Sequence, residues 1–224
     1  MIHLLAGGPG SDHGHLVALL REALTASGFD APRIAYIGAA SGDDDGFFRR
    51  LSPLLQAAGG GDIVLARTCR PAAARAPTAE KILSQSDVLF ISGGDVEAGM
   101  RTLEAAGVIP VLRERFAAGT PFIGLSAGSI MLARKWIAWD NPDDDATARI
   151  FGCLGFVPLI CDTHAEDDNW SELRAVLRLS DVGARGYGIT APAMLRIHPD
   201  GRLEPRGGNV VCLERRTDSV TRIS

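Results

Sequence analysis

Along the first 130 residues, short uninterrupted apolar runs alternate with segments of helical period. The runs at 2–5, 33–37, 63–66, 88–92 and 122–125 have no polar face, which predicts strands covered on both sides. Amphipathic stretches at 15–27, 46–58, 79–85 and 96–118 predict the covering helices, the last broken around 107–110 by Gly107 and Pro110. This alternation implies an α/β fold: three layers, α/β/α, around a mostly parallel central sheet. In such sheets ligands sit beyond the carboxyl ends of the strands. Three glycine-rich turns fall there: Gly7-Gly8-Pro9-Gly10, Gly93-Gly94-Asp95 and Gly124-Leu125-Ser126-Ala127-Gly128.

Past residue 134 the pattern changes. Residues 129–134 read as a helix and 139–146 as a polar, acidic loop. Residues 157–161, 186–190 and 193–197 read as strands, 171–179 as a helix, and 209–214 as the final strand. Pro199-Asp200-Gly201 predicts a hairpin turn, and 72–77 a flexible connector. No shift in composition marks a boundary, so one domain over 1–224 is expected.

Composition narrows the function classes. With 46% hydrophobic residues, 224 residues supply a sizeable core. A net charge of -4 offers no basic surface to nucleic acid or to an anionic membrane. No apolar run approaches the roughly 18 residues of a membrane span. Residues 1–8 lack a charged region and reach glycine too soon for a secretory signal. Cys69, Cys153, Cys161 and Cys212 are scattered, without Cys-x-x-Cys spacing, which fits free thiols in a reducing cytoplasm.

The third glycine-rich turn carries chemistry. An apolar strand, Gly-x-Ser-x-Gly and then a helix is the setting in which a serine becomes a nucleophile at a strand's carboxyl end. Read alone, the same motif also describes a tight strand–helix turn with a small residue at its apex. A serine nucleophile needs a base. Of five histidines, His3 lies inside the first strand, His198 beside the hairpin turn, and His13 and His15 flank Gly14 without a matching metal-ligand set elsewhere. His164, in Asp162-Thr163-His164 just past a predicted strand, is the candidate base. The orienting acid stays open among Asp140, the run Asp143 to Asp145, Asp162, Glu166, Asp167 and Asp168. The amides of Ala127 and Gly94 are the natural oxyanion donors. The Gly7–Gly10 turn lacks the Lys-Ser/Thr ending of a phosphate loop and the spacing of a dinucleotide fingerprint, and reads as a cleft wall.

Taken together, Ile91-Ser92-Gly93-Gly94-Asp95, Ile123-Gly124-Leu125-Ser126-Ala127-Gly128-Ser129 and Asp162-Thr163-His164 resemble the dipeptidase E and cyanophycinase family of serine peptidases. The likeness runs in order from the first strand to Gly207-Gly208. It implies a fold like that of the class I glutamine amidotransferases, with serine in place of their cysteine. It implies Ser126 as nucleophile, His164 as base, Asp140 at the position of the triad aspartate, and Gly94 and Ala127 as oxyanion donors. It further implies a short peptide as substrate, no metal or diffusible cofactor, a cytoplasmic enzyme and a homodimer. Candidate substrate-binding positions are Asp95, Asp162, Arg174 and Thr190.

Two departures bear on substrate. After His164 the arginines that would hold an N-terminal aspartate are reduced to Arg174. Where the family places an acidic residue after Gly-Ile, this chain has Thr190. Loss of an arginine fork weakens carboxylate capture. The alternatives are a cyanophycinase-like hydrolase of β-aspartyl-arginine peptides, an α/β-hydrolase esterase and a non-catalytic binding module. The esterase is disfavoured because its histidine usually comes near the C-terminus, whereas His164 follows Ser126 closely.

Overall fold

The structure, a computed structural model, describes residues 1–7, 12–69, 78–141 and 144–224. Five parallel strands form its centre: β1 (Ile2–Leu5), β2 (Ile34–Ile37), β3 (Ile63–Leu65), β4 (Val88–Ile91) and β5 (Phe122–Leu125). Side chains alternate across a strand, and here both faces are apolar. Ile34, Tyr36, Val88, Phe90, Ile123 and Leu125 enter one core, under α1 (His13–Thr25) and α2 (Asp45–Ala57). Ala35, Ile37, Leu89, Ile91 and Phe122 enter the other. That second core is covered by α3 (Ala79–Gln85), α4 (Val96–Ala106), α5 (Ile109–Ala117) and α6 (Ala127–Leu132). The three expected layers follow directly from the missing polar face. The break between α4 and α5 falls where Gly107 caps α4 at φ 69° and Pro110 enters the first turn of α5.

The carboxyl-terminal part departs from the expectation. Residues 135–139 are not the approach to a bare loop. They form β6 (Lys135–Trp139), paired antiparallel with β7 (Ala148–Gly152), and bury Trp136, Ile137 and Ala138. The strand expected at 157–161 is β8 (Ile160–Thr163), because Val157 and Leu159 fill the core from irregular chain. β10 (Met194–Ile197) and β11 (Leu203–Arg206) form the predicted hairpin on the far side of β1, giving the seven-stranded order β11-β10-β1-β5-β4-β2-β3. β8, β9 (Arg185–Ile189), β12 (Val210–Arg215) and β13 (Val220–Arg222) form a separate four-stranded sheet, so 209–214 is not the last strand. α7 (Ser171–Arg178) packs on that sheet through Leu173, Val176 and Leu177. The connector at 72–77, most of the Gly7–Gly10 turn and Asp143 lie outside the described residues.

Candidate active site

Ser126 stands between β5 and α6 with φ 54° and ψ −126°, a backbone conformation costing about 1–3 kcal/mol for a non-glycine residue. Main-chain bonds hold it there. Its N–H donates to Leu5 O at 2.9 Å, and its carbonyl accepts from Ser129 N at 2.8 Å. The second glycine of the motif lets α6 sit against β4. A Cβ on Gly128 would lie 2.1 Å from Ile91 O, well inside van der Waals contact.

His164 follows the last residue of β8. Its N–H donates to Ile189 O at 2.9 Å, continuing the parallel ladder one step past Thr163. The ring reaches across to the elbow, and Nε2 lies 2.7 Å from Ser126 Oγ. With Nε2 accepting, the ring proton sits on Nδ1. Both residues line a cavity of about 410 Å³. Gly94 and Ala127 line it too, and their N–H groups donate to nothing among the described residues. Gly94 needs its residue type: at φ 141° a Cβ would fall 2.0 Å from Ala40 O.

The facing wall is acidic. Asp162, the penultimate residue of β8, is only 4% exposed. Its Oδ1 accepts from Thr163 N at 2.7 Å. Burial drives its pKa up from 3.8 to about 7. The N–H groups of Thr163 and Leu173 oppose that rise, and the charges of Glu172 and Asp168 add to it. Glu172, in the first turn of α7, is also raised, by desolvation and by Asp168 and Asp95, while a hydrogen bond from Trp136 lowers it. Asp168, just before α7, accepts from Ser171 N at 3.2 Å and from its hydroxyl at 2.9 Å. Another cavity, of about 380 Å³, lies at the amino ends of β8 and β9 beside Arg134, Lys135 and Tyr187, remote from Ser126.

Three comparisons bear on this geometry. The sequence model of the family described as Peptidase family S51 matches residues 2–202. The chain belongs to peptidase family S51. Two solved structures share its fold over its whole length. One is a peptidase from an acI-B1 Actinobacterium, 15% identical, with TM-score 0.70 and 93% of that chain covered. The other is a putative peptidase E protein from Listeria monocytogenes EGD-e, 16% identical, with TM-score 0.62 and 98% covered. The expected class I glutamine amidotransferase-like α/β fold is therefore the observed one. Among curated proteins, 56 residues are 45% identical to the pyridoxal 5'-phosphate synthase subunit PdxT of Hyperthermus butylicus; they span 25% of this chain and 28% of that protein. A PdxT from a Geobacillus species is 33% identical over 78 residues, 34% of this chain and 41% of that protein. The chain thus spans well under half the length of the curated relatives it matches.

Within this S51 chain, several sequence-predicted residues stand elsewhere. Asp140 does not reach His164. It lies just past β6, its side chain 73% exposed, and accepts from Arg149 Nε at 3.0 Å; Arg149 also bonds Glu97 of α4. The β6–β7 hairpin, unseen in the sequence, carries it outward. Among the described residues no carboxylate hydrogen-bonds His164. Glu166, two residues on, instead accepts from Ala191 N at 3.2 Å.

Asp95 caps α4, accepting from Ala98 N at 2.7 Å. Thr190 donates its hydroxyl to Asn209 O at 2.8 Å. Arg174 does not line this cavity; it donates to Asn169 O and Val220 O, both at 2.8 Å, beside a neighbouring cavity that it lines with Asp168 and Glu172. Of the four proposed substrate-binding residues only Asp162 lines the Ser126 cavity. Glu172 and Trp136 line it unforeseen; Glu172 had a signal, since it opens the helix after the His164 loop, but Trp136 sits on the unpredicted β6. His3 is a core histidine: burial foremost, with Arg196 beside it, lowers its pKa to about 3, so it stays neutral.

Proposed function

We propose that the protein is a serine peptidase that hydrolyses short peptides through an acyl-enzyme on Ser126. The 2.7 Å contact between Ser126 Oγ and His164 Nε2, at a strained elbow, carries this reading. Ser126 attacks the scissile carbonyl while His164 takes its proton. The amides of Gly94 and Ala127 hold the oxyanion, a contribution typically of about 3 kcal/mol per donor. His164 then protonates the leaving amine, and water activated by the same ring releases the acid. The proton can move without an orienting carboxylate, none of which bonds His164 among the described residues; lacking one lowers the rate rather than changing the chemistry. Cytoplasmic action fits the free thiols of Cys69, Cys153, Cys161 and Cys212. Among the described residues no helix is long and apolar enough to cross a membrane.

A fluorophosphonate probe tests the nucleophile, and a dipeptide panel read by mass spectrometry tests the reaction. The expected result is labelling and cleavage by the wild type, with neither in folded Ser126→Ala. The lack, among the described residues, of a carboxylate bonded to His164 favours one competing reading, a binding module on the same fold. An unlabelled serine and intact peptides would select that reading over the peptidase.

A further inference from the structure

We infer that the cavity of about 380 Å³ at the amino ends of β8 and β9 is a second binding site, which takes a small organic carboxylate with an apolar body. It stands apart from the peptidase reading, because it shares no lining residue with the Ser126 cavity. The three sheets meet around it. Arg134 and Lys135 line it at the entry to β6, Leu159 at the approach to β8, Tyr187 from β9, and Ile197 and Leu203 from the β10–β11 hairpin. Its volume falls at the small end of ligand pockets, which span about 300–1,000 Å³.

The lining divides by chemistry. Leu159, Ile160 and Ile197 are buried, and with half-buried Leu203 and Tyr187 they give the cavity an apolar surface. Leu179 and Val182, 51% and 64% exposed, add to it on the connector that supplies Ser180, Asp181 and Gly183. The charges are uneven. Arg134, Lys135 and Arg185 line the cavity against one carboxyl, Asp181. Arg185 is neutralised by Glu214 of neighbouring β12, at 2.9 Å. Among the described residues the side chains of Arg134 and Lys135 have no hydrogen-bond or ion-pair partner. Burial foremost lowers the pKa of Lys135, the charge of Arg134 lowers it further, and Asp181 opposes both. Two like charges are thus held together on a partly desolvated surface, where an anion would relieve their repulsion. A carboxylate accepts charge-assisted hydrogen bonds from both, and an apolar body covers the surface beside them. Bare phosphate would meet the charges and leave that surface wet. Two sources share this chemistry: a plain carboxylic acid, and an apolar amino acid whose α-ammonium would meet Asp181.

The test titrates the full chain with hexanoate, L-norleucine, hexanol and inorganic phosphate, read by calorimetry and by the rise in melting temperature that a bound ligand gives. Hexanoate or L-norleucine should bind about tenfold or more tighter than hexanol and than phosphate, the scale of one charge-assisted hydrogen bond. L-norleucine bound at least as well as hexanoate assigns the amino acid as the source; weaker binding assigns the plain acid. Arg134→Gln and Lys135→Gln should each weaken the acid about tenfold and leave hexanol within about twofold. Neither side chain has a partner to lose, so both variants should melt with the wild type when no ligand is present. Ser126→Ala and His164→Ala should bind the acid as the wild type does, which keeps this site distinct from the catalytic cavity whether or not any peptide is cleaved. No saturable binding, phosphate or hexanol bound as tightly as the acids, full binding in the Arg134→Gln, Lys135→Gln double variant, or binding lost in His164→Ala would each overturn the site.

Discussion

At Ser126 the geometry comes from main chain: Leu5 O, Ser129 N and the close packing of Gly128 on Ile91 hold the hydroxyl in place. On the facing wall it comes from side chains of β6, β8, α7 and the turn before α7, with Asp162 buried among them. The first region is over-determined by backbone contacts and tolerates almost no change. The second is held loosely in chemistry, so its charge can vary while the nucleophile stays put. On the reading proposed above, Ser126 and His164 carry the reaction, and the facing wall is the part of the cavity lined by carboxyls.

The sharpest way to separate them is Ser126→Ala, which should lower kcat by about 10³-fold or more while the melting temperature stays within a few degrees of the wild type. Retained turnover would move the chemistry off the elbow. Next in size, Gly128→Ala should cost about 3 kcal/mol or more in urea unfolding, because its Cβ would strike Ile91 O at 2.1 Å. Stability unchanged would show that the elbow's backbone yields more than its contacts indicate.

The wall should respond to pH instead. Asp162 has a folded pKa near 7 against an ordinary 3.8. The folded chain therefore holds this proton more tightly than the unfolded chain, and the group's contribution to stability falls as pH rises from about 4 to about 7. Asp162→Asn should remove that fall and make the protein more stable than the wild type at pH 8, by up to a few kcal/mol, with little gain at pH 4. Parallel unfolding curves at both pH values check it; an equal difference at each would place the effect in packing rather than charge. Smallest of all, Asp140→Ala should change kcat less than threefold and stability by under about 1 kcal/mol, since its bond is an exposed pair with Arg149. A loss of activity near that of Ser126→Ala would return Asp140 to the catalytic group.

The same division explains what could be read from the chain. The parallel core was legible because both faces of its strands are apolar, and the elbow because its determinants, Gly124 to Gly128, are contiguous. His164 was legible as the histidine just past a strand. The second sheet was not, since β8, β9, β12 and β13 are short and their partners are fixed by long-range register. Nor was the hairpin that carries Asp140 outward, because Trp136–Ala138 lack the alternation of a half-exposed strand. The acidic wall depends on how α7 is rotated about its axis: Leu173, Val176 and Leu177 turn inward, leaving Glu172 on the cavity and Arg174 away from it. Spacing in sequence put both Glu172 and Arg174 soon after His164; packing chose which of them lines the cavity.

The amide of His164 bonds to Ile189 O as one more rung between β8 and β9. The base is thus anchored to a ladder and not to the stretch that connects the two strands. Residues 165–184 leave that ladder and return to it, packing on the sheet through Trp170, Leu173, Val176 and Leu177, so their exposed positions are the ones open to change while those buried contacts are kept. A variant bearing arginines at those exposed positions should retain the Ser126–His164 pair and accept a different clientele of peptides.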